Sequence, residues 1–159
     1  MIARLVSGGQ TGVDRAALDA ALELGVPCGG WCPRGRTAED GTIPARYPLT
    51  ETPSGDSSER TRWNVRDSTG TLILSWGEPA EGTLLTVAAC RELGKPHLVI
   101  DLGDTANRDE AIRTARAWLD ANLNGGVLNV AGPRASTQPA VYERARAFVR
   151  EVLDVAASL

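Results

Sequence analysis

Five short apolar runs alternate along this chain with five stretches of helical period, and that alternation restricts the fold more than any other feature. The runs are Ile2–Val6, Pro27–Trp31, Thr71–Ser75, Pro96–Leu102 and Val127–Ala131. The helical stretches are Val13–Leu24, Ser58–Asp67, Thr83–Leu93, Arg108–Leu123 and Pro139–Val155. In the first helix Val13, Ala16, Ala17, Ala20, Ala21 and Leu24 form one continuous apolar face, and Gly25 is a natural stop. Thr71–Ser75 and Pro96–Leu102 are near-continuously apolar, the pattern of strands buried on both faces. Strands separated by helices pair in parallel, because a parallel neighbour is reached only by a crossover. Right-handed crossovers then wind the sheet in both directions. The expected fold is α/β: a single-domain, doubly wound, mainly parallel Rossmann-like sheet with helices on both faces, spanning residues 1–159.

Composition removes several other classes. With 42% hydrophobic and 23% charged residues, the 159-residue chain is neither disordered, collagen-like nor coiled coil. A formal charge of −3 steers it toward neither nucleic acid nor an anionic membrane. No apolar run approaches the ~20 residues of a membrane span. Met1–Val6 has no charged region leading into a long apolar one, so no signal peptide is read. Cys28, Cys32 and Cys90 are odd in number and lack zinc-type spacing, so they read as ordinary thiols in a reducing, cytoplasmic location. The single histidine, His97, opens a predicted strand and reads as structural, which leaves no His-based triad.

In open α/β sheets, ligands bind beyond the carboxyl ends of the strands. The loops after the first, third and fifth strands are Ser7-Gly-Gly-Gln-Thr-Gly12, Ser75–Thr83 and Gly132-Pro-Arg-Ala-Ser136. Where such loops open helices, free amides and the helix dipole favour an anion, and glycine lets it approach the backbone. Gly8, Gly9, Gln10, Thr11 and Gly12 are therefore candidates to hold a phosphate, with Gly82 and Thr83 taking a second anionic group. The first loop matches neither the P-loop nor the dinucleotide fingerprint. The long, aperiodic stretch Cys32–Ser57 carries Arg34, Gly35, Arg36, Glu39 and Asp40, of which Arg34 and Arg36 suit phosphate and are expected to close over it. Asp14, in the first turn of the first helix, complements the dipole or contacts the ligand. Trp76, at a strand end, packs or stacks on a planar ligand.

Six motifs stand in the order and spacing of a known group: Ser7-Gly-Gly-Gln-Thr-Gly-Val-Asp-Arg15, Cys32-Pro-Arg-Gly-Arg36, Ala38-Glu-Asp-Gly41, Arg60-Thr61, Asn64-Val65 and Asp67-Ser68 with Gly70-Thr71. The chain resembles the bacterial putative molybdenum carrier family, itself similar to the molybdenum cofactor carriers and, more distantly, to the lonely-guy-type phosphoribohydrolases. The likeness runs to about residue 102. It implies a Rossmann-like fold, a homo-oligomer (dimer or tetramer) and a phosphate-bearing ligand: molybdopterin-type molybdenum cofactor, a nucleotide, or an oxyanion such as molybdate. Metal held through a pterin dithiolene needs no protein ligand, so no metal-ligating residues are expected.

The hydrolases carry Pro-Gly-Gly-x-Gly-Thr-x-x-Glu. The corresponding run here, Pro79–Thr86, has Thr86 in place of that glutamate and Glu81 in place of the second glycine. Thr69 stands where the carriers more often have Asp. The resemblance thus points first to a small-molecule binding protein. The alternatives are a nucleotide N-glycoside hydrolase, with Asp14, Glu39, Asp40 or Asp67 supplying the missing carboxylate, and a non-catalytic interaction or sensor module.

Overall fold

In a computed structural model, which describes residues 1–154, the chain runs β1 (Arg4–Val6), α1 (Val13–Leu24), β2 (Cys28–Gly29), β3 (Trp31–Cys32), β4 (Thr37–Ala38), β5 (Gly41–Thr42), β6 (Thr50–Glu51), α2 (Ser57–Arg66), β7 (Gly70–Ser75), α3 (Glu81–Glu92), β8 (His97–Asp101), α4 (Arg108–Asn122), β9 (Val127–Ala131) and α5 (Val141–Leu153). A short 3₁₀ turn at Thr105–Asn107 leads into α4. The end expected for the last helix, Val155, lies outside the described residues, as does the rest of the expected domain to residue 159.

Five strands form one wholly parallel sheet in the order β2-β1-β9-β7-β8. The chain's last strand lies at the centre, with Leu5 opposite Leu128 on one side and Leu72 opposite Val130 on the other. β1 reaches β2 through α1 in one direction, and β7 reaches β8 through α3 in the other. With right-handed crossovers these helices fall on opposite faces. Accordingly α5 packs between α1 and α4 in one layer, while α2 and α3 pack together in the other.

Local chemistry explains the elements. Every residue of β7 is buried, as its near-continuous apolar run predicts. α5 buries Val141, Ala145, Phe148, Val149 and Val152, a three- and four-residue repeat, against α1. Gly25 ends α1 in the left-handed conformation at φ 69, returning its N–H to Ala21 and Leu22 carbonyls. The Asp56 carboxylate caps α2 by accepting from Ser58 N–H at 2.9 Å.

The structure departs from the sequence reading at the second strand. The run expected as one strand from Pro27 to Trp31 breaks at Gly30, whose φ of 127 admits glycine readily and whose Cα lies against the Ser7 backbone, 2.8 Å from Ser7 N to an added Cβ. Cys28–Gly29 stays in the main sheet, while Trp31–Cys32 leaves it to pair with β6. Asn64 of α2 holds the break on both sides, accepting from Trp31 N–H at 2.8 Å and donating to Trp31 O at 3.0 Å. The aperiodic stretch that follows is folded onto the domain. Cys32, Ile43 and Tyr47 are buried in the main core, and β4 and β5 make a small antiparallel hairpin.

His97 is half-buried at the start of β8. Trp76 packs against the core beneath the Arg144 guanidinium, 4.4 Å from its ring centroid. The three cysteines are free, and burial pushes each thiol upward, away from thiolate reactivity. No described helix is long and apolar enough to cross a membrane.

Candidate functional site

The carboxyl ends of β1, β7 and β9 open onto one cleft of about 420 Å³. Gln10 and Asp14 line it from the β1–α1 turn, Ala80–Thr83 and Thr86 from the start of α3, and Gly132–Arg134 with Ser136 and Thr137 from the loop after β9. A fourth wall comes from the first turns of α2, where Ser57, Ser58, Arg60 and Thr61 face the same space. The three strand-end loops singled out in the sequence therefore do share one hollow. A larger cleft of about 520 Å³ lies at the amino end of the sheet, lined largely by hydrocarbon from Ile2, Val26, Leu119 and Val152, away from the glycine loops.

Two features of this hollow suit an anion. Ala80 occupies the N-cap of α3 and offers no side-chain oxygen, so the first turn, at Gly82 and Thr83, brings uncapped amides to the cleft. Opposite, Arg60 lies against Gly8 so closely that a Cβ there would stand 2.8 Å from its Nε. That Nε is buried and has no hydrogen-bond partner, while Nη1 donates to the Thr61 hydroxyl at 3.0 Å. Gly8 thus makes room for a guanidinium rather than for a phosphate. Arg134, on the exposed rim, adds a second cation.

Asp14, only 3% exposed, lines the same cleft. Its Oδ2 accepts from Gln10 N–H at 3.2 Å. Burial pushes its carboxyl above the ordinary value of 3.8, against the opposing pull of Arg60, the Gln10 amide, Ser7 and Arg15. Thr83 and Thr86 are buried beside it in the cleft wall; the Thr86 hydroxyl donates to Gly82 O at 3.2 Å, inside its own helix.

The first glycine loop is arranged differently from the expectation that its amides cradle a phosphate. Gln10 N–H is taken by Asp14, and Thr11 N–H by the Gln10 side-chain oxygen at 3.0 Å. The Thr11 hydroxyl donates to Glu39 and accepts from Ala135 N–H. Gly9, at φ 81, packs under Ile43 and Leu49 of the long excursion. Gly12, at φ 79 and ψ −126, lies against the Pro133–Ala135 backbone, where Val13 N–H donates to Pro133 O at 3.1 Å. Gly12 lets the first loop pack main chain to main chain against the loop after β9, while Gly9 makes room for the Ile43 and Leu49 side chains, uses invisible without the tertiary partners.

The excursion is fastened over this loop by acids. Glu39 accepts from Thr11 and from Ser136 through both its amide, at 3.1 Å, and its hydroxyl, at 2.5 Å. Against slight desolvation, those Ser136 and Thr11 bonds hold its carboxyl low. Asp40 makes a two-pronged pair with Arg15, which likewise holds its carboxyl low. Arg34, exposed, and Gly35, whose N–H goes to Glu51, do not line the cleft. Neither does Arg36. Its guanidinium donates to the carbonyls of Ile43, Pro44, Tyr47 and Leu49, tying the excursion into a closed turn. The structure thus gives the two arginines expected to close over a ligand other positions, because carbonyls of the loop itself claim Arg36 first. Arg36→Ala is expected to leave the central sheet intact while speeding tryptic cleavage within residues 34–46 by about tenfold or more, a local opening readable by mass spectrometry. Cleavage at the wild-type rate would show that those four bonds are dispensable.

Sequence reasoning nominated Gln10, Asp14, Gly82 and Thr83, which line the cleft, and did not nominate Arg60, Arg134, Ser58 or Thr61, which also do. Arg60-Thr61 stood among the family motifs and Arg134 in a strand-end loop, so a signal existed for both.

A doubly wound parallel sheet with a polar, arginine-bearing cleft over its central strands places the chain in the Rossmann-like class. Residues 5–153 match the circularly permutated YpsA SLOG family, and the chain belongs to that family. The position of its last strand at the sheet centre, beside its first, is compatible with permuted connectivity. The chain is also similar to a crystal structure of a protein from Syntrophus aciditrophicus SB named a putative molybdenum carrier protein, at 43% identity, over 96% of this chain and 95% of that one, with a TM-score of 0.91. No functionally curated protein matches the sequence.

Proposed function

We propose that this chain binds a small phosphate-bearing or oxyanionic molecule in the cleft over β1, β9 and β7, in the manner of a molybdenum carrier. The ligand classes are a molybdopterin-type cofactor, a nucleotide, or molybdate. The observation that carries this reading is the pairing of the uncapped α3 amino end with the Arg60 side chain, which lines the same cleft. Both supply N–H donors that an anion satisfies. The volume of about 420 Å³ suits a ligand of nucleotide size. Among the described residues no cluster of His, Cys, Asp and Glu is placed to hold a metal ion. Molybdenum would therefore be held through the anionic groups of its own ligand set, with Arg60, Gly82 and Thr83 meeting a phosphate or oxyanion. The similar protein's name supports the molybdenum-related reading.

Titration calorimetry with inorganic phosphate, adenosine monophosphate and molybdate tests it. Saturable heat from at least one is expected, together with net proton uptake, seen as a dependence of the heat on the buffer's ionisation enthalpy. The uptake arises because an anion beside Asp14 raises a carboxyl that burial has already lifted. Folded protein that gives no heat with any of the three overturns the reading.

One observation favours a second reading, hydrolysis of a nucleotide N-glycoside. Of the four carboxylates that could replace the missing glutamate, Asp40, Asp67 and Glu39 are held low, Asp67 first by Arg66. Asp14 alone is raised and faces the cleft, as a general acid requires. Released base from a panel of nucleoside monophosphates, abolished in Asp14→Asn, supports this reading; no release at high protein concentration removes it.

A further inference from the structure

The chain carries four tryptophans, two tyrosines and one phenylalanine, and the fold sends every one of these rings away from the cleft over β1, β9 and β7. Trp31 and Trp63 meet edge to face, 4.8 Å apart, with Trp63 on the groove between α2 and α3. Trp76 lies beneath Arg144, and Tyr47, Trp118, Tyr142 and Phe148 pack in or against the main core. The hydrocarbon that does line the cleft is small and scattered, from Ala80, Leu85, Ala131 and Pro133. The rest of the wall is largely hydroxylic. Ser58, Thr61, Thr83, Thr86 and Thr137 all border it. The Thr86 hydroxyl, donating to Gly82 O at 3.2 Å, retains lone pairs that can accept from a ligand.

A planar heterocycle seated here would set its ring faces against hydroxyls and charges, without the apolar or aromatic platform on which such rings are ordinarily held. Asp14 adds a second constraint. Its carboxyl is 3% exposed on the cleft, and a carboxylate close to a phosphate opposes it. A ligand hydroxyl removes that conflict, because it donates to the carboxyl when charged and accepts from it when protonated. Resting on the anion-binding reading above, we propose that the ligand seated in the cleft is a phosphate ester of a small polyhydroxylated, non-aromatic body, of the sugar phosphate class. Its phosphate meets Arg60 and the α3 amino end, and its hydroxyls bond to Asp14 and the hydroxylic wall. Arg60 and Asp14 act on one another electrostatically, so the phosphate and hydroxyl positions are neighbours, as they are in a sugar phosphate.

Calorimetric titration of the full chain with methyl phosphate, ribose 5-phosphate, adenosine monophosphate and guanosine monophosphate tests the proposal. Methyl phosphate reads the anion position alone, ribose 5-phosphate adds hydroxyls, and the nucleotides add a ring, guanine with an N–H edge that a carboxylate can recognise. Ribose 5-phosphate is expected to bind at least about fivefold more tightly than methyl phosphate, and neither nucleotide to exceed ribose 5-phosphate by more than about threefold. In Asp14→Ala the gap between ribose 5-phosphate and methyl phosphate narrows by at least about threefold, with circular dichroism confirming the fold. Should that variant fail to fold, the wild-type series decides alone. A smaller ribose gain, a nucleotide beyond the stated margin, or an unchanged gap in folded Asp14→Ala overturns the proposal and leaves the anion-binding reading standing. Silence from all four compounds removes both.

Discussion

Arg60→Met is expected to weaken binding of phosphate or a nucleotide by about 30-fold or more, the loss of roughly 2 kcal/mol that removal of a charge-assisted donor pair brings. Methionine keeps much of the hydrocarbon that packs on Gly8, so the effect separates charge from packing. A second consequence appears in the pH dependence of stability. Asp14 is raised above 3.8 in the folded chain, so between the unfolded and folded values the folded chain holds a proton that the unfolded one has released. Stability from this group is therefore greatest below about 3.8 and falls as pH rises toward the folded value, beyond which it is level. Losing Arg60 removes the largest influence favouring the charged form, so the decline in Arg60→Met extends to higher pH. Urea unfolding across pH 3–8 measures it, with Asp14→Asn as the reference that lacks the titration. Phosphate affinity within threefold of wild type would remove Arg60 from the site.

Gly12→Ala is expected to cost about 3 kcal/mol of stability. A φ of 79 with a ψ of −126 is a conformation nearly confined to glycine. The added Cβ would also run into Pro133 O and stand 2.9 Å from Ala135 N, both main-chain atoms with no rotamer to yield. Relief requires the β9–α5 loop to retreat, which lengthens the Val13 N–H to Pro133 O bond and shifts Arg134 and Ser136 at the cleft. Loss of stability and loss of anion binding should therefore appear together. A substitution that costs less than about 0.5 kcal/mol would show that the loop gives way freely.

The regular elements were legible because their signals are local. The helical period of α1 and α5 and the short apolar runs of β7 and β9 are written in neighbouring residues, and each becomes the expected element. The second strand was misjudged in extent because Gly30 turns only where the Ser7 backbone presses on it, a contact between residues 23 apart. Candidate site residues divide in the same way. Gly82 and Thr83 follow from a helix start beside a strand end. Arg36 looks identical to Arg60 as a letter, and what separates them is which carbonyls come near.

Alternation of apolar runs and helical periods determined the parallel, doubly wound sheet and the edge on which its glycine-bearing loops emerge, since period and crossover handedness need only short-range information. Tertiary packing alone decided which donors those loops leave free. Backbone amides and guanidinium groups bond to whatever carbonyl or carboxylate the fold brings within about 3 Å, and those partners lie up to 124 residues away, as between Thr11 and Ala135.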